Sequence, residues 1–194
     1  MKQFIFLYPI PEYINHAIEN YGRFEEGGIE AYRQRSMHIL NQCIEVRYRQ
    51  QGFGITYAIF DGHTISDVIE LQPLDRIIEV GMEYRTHTTP QPEGSYRYPD
   101  PDYILDQMGE MKLIRISGFH MWDCVEKLAR RAYERGLDTL VDEDLTEFFT
   151  HCLTDENFRV DTYPTYNPRE GDDSASERWL NHFLDARKDK PWLW

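Results

Sequence analysis

The sequence predicts an α/β protein, a three-layer α/β/α arrangement around a mainly parallel sheet, and three observations predict it. Residues 4–8 form a continuous apolar run, the pattern of a strand covered on both faces, and residues 55–60 read as a second strand. Residues 112–144 read as strand, loop, helix, strand, the βαβ unit that parallel pairing requires. Between the runs, apolar residues recur at helical rather than alternating spacing.

The central stretch is the clearest. The run Leu113, Ile114, Ile116 ends at Ser117-Gly118, and a five-residue turn leads to Cys124. From there Val125, Leu128, Ala129, Ala132 and Tyr133 fall on one helix face until Gly136 closes it. Residues 137–141 then read as a strand ending in Asp142-Glu143-Asp144.

Upstream, Pro9 and Pro11 stop the first strand, and residues 12–26 form a short helix and polar loop broken at Gly27-Gly28. A second helix runs over residues 29–50 through Tyr32, Met37, Leu40, Ile44 and Tyr48, with Cys43 beside that stripe as a core residue. Gly52 and Gly54 end it before strand 55–60. Residues 77–84 are expected as a strand with Gly81 as a bulge, and residues 86–102, rich in Pro, Thr and Gly, as a loop or lid. Pro99 and Asp100 signal a helix over residues 102–108.

Downstream, residues 145–153 carry an amphipathic helix with Cys152 inward, and residues 158–163 a last strand. The expected division is a domain over residues 1–163 and a linker with C-terminal helix and tail over residues 164–194. That last helix, residues 177–187, shows Trp179, Leu180, Phe183 and Leu184 on one face, and the tail adds Trp192 and Trp194. So much apolar surface must be covered by the domain itself or by a neighbouring subunit, and a homo-oligomer is the expected assembly.

Composition bounds the partners. A formal charge of −13 and a pI near 4.9 argue against nucleic acid or an anionic membrane as partner. With 41% hydrophobic residues, the bulk of the chain can build a core. The three cysteines contain no CxxC pair, so neither a zinc ribbon nor a disulfide framework is indicated, and reduced thiols point to the cytoplasm. The N-terminal apolar run is too short and proline-interrupted for a signal peptide or membrane span.

Cys124 carries the candidate chemistry. A helix N-terminus favours thiolate over thiol, and the end of a parallel strand is where open sheets bind ligands. The alternative is a buried cysteine acting as a small hydrophobe. His120 and Asp123 lie close enough in sequence to serve as its base, although Asp123 also suits an N-cap.

Gly118, the gap, Cys124-Val125, the alanine-containing helix, Gly136, a strand and an acid are similar to the nucleophile region of the isochorismatase-like cysteine hydrolases. Nicotinamidases belong to that superfamily, and the resemblance spans residues 4–153. It implies that Cys124 attacks the carbonyl or imine carbon of a small amide- or imine-type substrate, with backbone N–H groups of the turn holding the oxyanion. It also implies an aspartate at the end of strand one and a lysine after the strand near residue 84. Here Tyr8, or Pro9 in a shifted register, stands at the first position, and no lysine occurs between Lys2 and Lys112.

Tyr8, Trp122 and Arg85 are then the expected substrate-binding residues. The resemblance to nicotinamidases further implies a divalent-metal site of Asp61 and His63 at the end of strand two with His87, although Asp61-Gly62 is also an ordinary turn signal, and no cofactor is otherwise required. Two functions follow: a hydrolase on a small-molecule substrate, or a catalytically inactive member of the fold that binds or assembles, because two triad residues are replaced.

Overall fold

The computed structural model describes residues 1–24, 26–147, 158–162, 185 and 187–193. Its centre is a five-stranded sheet, parallel throughout, in the order β3-β2-β1-β4-β5. β1 (Lys2–Leu7) lies in the middle between β2 (Gly54–Ile59) and β4 (Leu113–Gly118). β3 (Arg76–Glu79) and β5 (Asp138–Thr146) form the edges. From Gln3 onward every residue of β1 is buried, which is why its sequence shows no polar alternation.

α1 (Pro11–Gly22) and α2 (Gly28–Cys43) connect β1 to β2 and pack on each other. α2 continues through a wider π-helical turn, Ile44–Tyr48, and a 3-10 turn, Arg49–Gln51, and stops at Gly52 with φ 78°. α3 (Tyr84–Thr88) and α4 (Pro101–Met108) lead back to β4, and α5 (Glu126–Glu134) joins β4 to β5 against α4. Asp100 caps α4 by accepting from the Asp102 amide at 2.9 Å. Right-handed crossovers put α1 and α2 on one face of the sheet and α4 and α5 on the other. The three-layer α/β/α class is therefore the observed one.

The chain winds outward from β1 to β3, then crosses back to β4 on the other side of β1. The C-terminal ends of β1 and β4 therefore flank the topological switch point, where open α/β sheets form a crevice. Gly118 makes the approach close: its φ is 121°, and a Cβ there would lie 2.2 Å from the Leu7 carbonyl oxygen.

Three expectations are corrected. The strand expected over residues 77–84 ends at Glu79, and Gly81 (φ 71°) makes a left-handed turn instead of a bulge, so that α3 starts at Tyr84 and takes the beginning of the expected loop. Leu145 and Thr146 finish β5 rather than open a helix. Residues 158–162 form a turn, not a strand. Cys152 and residues 163–184 lie outside the described residues.

The described part of the tail packs on this same domain. The Val141 amide donates to the Trp192 carbonyl at 2.9 Å, Trp192 and Leu193 are buried, and Lys190 pairs with Glu126 at 3.1 Å. Among the described residues, no helix is long and apolar enough to cross a membrane.

Candidate active site

At the switch point the two strand ends present Tyr8 and Cys124 to each other. Tyr8 follows β1 in a left-handed conformation, φ 61°, and its amide still bonds to the Ala58 carbonyl at 2.8 Å. A non-glycine residue there costs on the order of 1 kcal/mol, so the surroundings must hold it. They do: its ring stacks on Phe60 with centroids 4.5 Å apart. Its hydroxyl is hydrogen-bonded to the Cys124 thiol.

On the β4 side, Phe119 donates its amide to the Leu7 carbonyl at 3.1 Å, and His120 adopts φ 64°. The chain then makes a π-helical turn, Met121–Val125, that carries Cys124 before α5 begins. The amides of Asp123 and Val125 both bond to the His120 carbonyl, and that of Met121 donates to Glu147 at 2.7 Å. These amides and that of Phe119 are therefore committed, which narrows the oxyanion role expected of the turn.

The residue that meets Cys124 is His87. Its Nε2 lies 3.9 Å from Cys124 Sγ, and its Nδ1 lies 2.7 Å from the Arg97 carbonyl oxygen. A carbonyl can only accept, so Nδ1 carries the hydrogen and Nε2 of the neutral ring presents a lone pair to the thiol. Stacking against Phe60 at 5.3 Å and an edge contact with Tyr98 at 5.4 Å fix the ring plane.

Electrostatics correct one expectation directly. The Cys124 thiol is pushed up to about 12, first by burial and then by the Asp123 charge, while the Tyr8 hydrogen bond and Lys127 act the other way. Helix-start stabilisation of a thiolate does not win, because the sulfur lies within the π-turn in a residue only 5% exposed. The resting site holds a thiol. Tyr8 is raised further by its own burial and by Cys124, so it serves as a hydrogen-bond donor and not as a base.

The other expected site residues are dispersed. His120 packs edge-on against Tyr13 at 4.9 Å, with its ring 6.3 Å from that of His87, and burial lowers its pKa below the usual histidine value. Asp123 is no N-cap: the cap position is His120, and Asp123 pairs with Lys127 and bonds to Tyr98. Trp122 is exposed beneath Lys190, whose Nζ is 4.8 Å from the ring centroid, and Arg85 is exposed on α3. Of the expected substrate-binding residues, only Tyr8 touches the thiol.

The expected metal set does not converge. Asp61 Oδ1 accepts from the Gly81 amide at 2.8 Å, His63 Nε2 lies 3.6 Å from Glu12, and His87 turns inward to Cys124. His87 lies on α3 with its ring stacked on Phe60 and its Nε2 facing Cys124, while Asp61 and His63 are engaged by Gly81 and Glu12. Among the described residues, no group of three or more His, Cys, Asp and Glu is placed to hold a metal ion.

Burial of two thiols has a consequence for folding. Cys43 is likewise pushed up to about 12, mainly by burial. Unfolded thiols ionise near 8.5, so above that pH the native state holds protons that the unfolded state has lost. Stability falls as pH rises from about 9 towards 12, by up to about 1.4 kcal/mol per pH unit for each thiol. Urea unfolding at pH 7, 9 and 10 checks this, and Cys124→Ser flattens the slope if the sulfur stays protonated when folded.

No protein-family model matches this sequence, and no curated protein matches it. Solved structures do. A MAR1 ribonuclease from Caenorhabditis elegans is 12% identical with a TM-score of 0.43, the match covering 75% of this chain and 64% of that one. A protein assigned as a MAR1 ribonuclease from Leishmania major is 13% identical with a TM-score of 0.44, over 75% of this chain and 65% of that one. The crystal structure of N-carbamoylsarcosine amidase from Thermoplasma acidophilum is similar to this chain at 19% identity and a TM-score of 0.45, over 75% of this chain and 84% of that one.

Proposed function

We propose that this chain is a cysteine-dependent hydrolase of the isochorismatase-like kind that cleaves a C–N bond in a small amide- or imine-type substrate, with Cys124 as nucleophile and His87 as base. The observation that carries the reading is the 3.9 Å approach of His87 Nε2 to Cys124 Sγ at the switch point of the sheet. His87 Nε2 takes the thiol proton as sulfur bonds to the substrate carbon, and the imidazolium returns it to the departing nitrogen as the C–N bond breaks. Water then attacks the thioester carbon, giving its proton to His87. The released sulfur recovers that proton, and the product leaves as the acid. Tyr8 steadies charge on the sulfur through its hydroxyl. A free thiol suits a reducing, cytoplasmic compartment.

A second reading, a binding protein of this fold without turnover, is favoured by the burial of Cys124 and its raised pKa. Ammonia release from a panel of small primary amides separates the two. The hydrolase releases ammonia from at least one, and Cys124→Ala abolishes it. A ligand from the panel that binds without ammonia release, equally in both proteins, establishes the binding reading.

A further inference from the structure

We propose that Tyr13 is the side-chain gate of the Cys124 site, an inference that rests on the reading of Cys124 as the nucleophile. The buried floor of the site is made by Tyr8, Phe60 and Phe119, together with Cys124 itself. Above it, Tyr84, His63 and His120 are half-buried and Glu12 is exposed. Tyr13 is the ring that joins floor to rim. Its centroid lies 6.3 Å from both Tyr8 and Phe60 and 5.3 Å from Phe119 below, and 5.5 Å from Tyr84 and 4.9 Å from His120 above.

Such a position covers the crevice, because Tyr13 is in edge and tilted contact with floor and rim together and Cys124 below is buried. It is also a position that can open. Tyr13 lies in the first turn of α1, whose N-terminus carries no side-chain cap, and its contacts are dispersive ring contacts rather than a hydrogen-bonded lock. Rotation about χ1 moves the ring towards the half-buried side while Tyr8, Phe60 and Phe119 stay in the core. The gate thus admits substrate past Tyr84 and His120, and its closure excludes bulk water from the thiol and imidazole.

The flank at Tyr98 is tied shut differently. There Tyr98 bonds to Asp123 and lies under Lys127, whose Nζ is 3.9 Å from the ring centroid, beside a surface groove of about 490 Å³. A charged clasp at that flank and a free ring at the other assign entry to the Tyr13 side.

The test is the rate of Cys124 alkylation by iodoacetamide at fixed pH, read by peptide mass spectrometry so that Cys43 and Cys152 are counted separately. Tyr13→Ala is expected to raise the Cys124 rate about tenfold or more, with Tyr13→Phe near the parent rate because the ring and not the hydroxyl is the gate. Tyr98→Ala also loosens the His87 ring and is expected to change the rate less than Tyr13→Ala does. An unchanged rate in Tyr13→Ala, or an equal rise in Tyr98→Ala, overturns the proposal. Should Tyr13→Ala not fold, Tyr13→Leu is read by the same criteria. Alkylation reports access and not turnover. A failed gate leaves Cys124-dependent ammonia release intact, and a failed hydrolase reading leaves the faster alkylation without any release.

Discussion

Under the proposed hydrolase mechanism, replacing His87 with alanine is expected to lower amide turnover by about 10²- to 10⁴-fold, the usual cost of losing a general base. The effect is large because the thiol cannot substitute for it. A sulfur pushed up to about 12 is ionised to only a minute fraction at neutral pH, so unassisted attack must wait for hydroxide. The pH profile separates this from simple damage. In the parent protein turnover reaches a plateau with pH, because the imidazole and not hydroxide takes the thiol proton. In the variant the residual rate keeps climbing about tenfold per pH unit towards the ionisation of the thiol itself. His87→Gln, which retains a polar side chain but offers no basic nitrogen, gives the same climbing profile. A variant that keeps the parent plateau removes His87 from the reaction and leaves the 3.9 Å contact as packing.

The central sheet was legible because burial on both faces writes itself into sequence as unbroken apolar runs. β1 was legible that way, and the βαβ unit around Cys124 put that residue just past the strand end, where it is found. The same signal misled at β3. Ile77, Ile78, Val80 and Met82 look like one strand, but Gly81 turns left-handed between them. That single turn decides the site, since it launches α3 and aims His87 inward. Nothing local in residues 84–88 announces a partner 37 positions ahead; the pairing exists only once the crossover from β3 to β4 has folded. Of the two readings of Cys124, the helix-start thiolate gave way to the buried thiol for a related reason. The helix-start argument is local, whereas desolvation comes from the burial of Cys124 in the assembled fold. Tyr8 was noticed for what it is not, an acid, and its actual relation to the sulfur came from the close seating of Gly118 on Leu7.

Changing Arg47 to methionine costs about 3–5 kcal/mol. The Arg47 and Asp142 side chains are 2% and 0% exposed, and they meet at 3.1 Å between Nη1 and Oδ2. Arg47 also reaches Asp144 at 2.9 Å and donates to the carbonyls of Val160 at 2.9 Å and Arg159 at 2.6 Å. Five donors on a planar fork are needed to satisfy so many acceptors, and lysine cannot do it. The wider turn at Ile44–Tyr48 explains why the network can exist: it buries Arg47 and Tyr48 together, and the Tyr48 hydroxyl donates to the same Asp142 carboxylate. Methionine fills much of the volume but leaves that carboxylate buried without its cation. Thermal unfolding should shift down by about 6–20 °C, at about 2–4 °C per kcal/mol for a chain of this size. The cause is distinguished by Arg47→Met combined with Asp142→Leu. Removing both charges removes the unpaired buried ion, so the double variant should recover much of the loss. If instead it is as unstable as Arg47→Met alone, the cost lies in the lost bonds to Val160 and Arg159, and the network serves to fasten residues 158–162 rather than to neutralise β5.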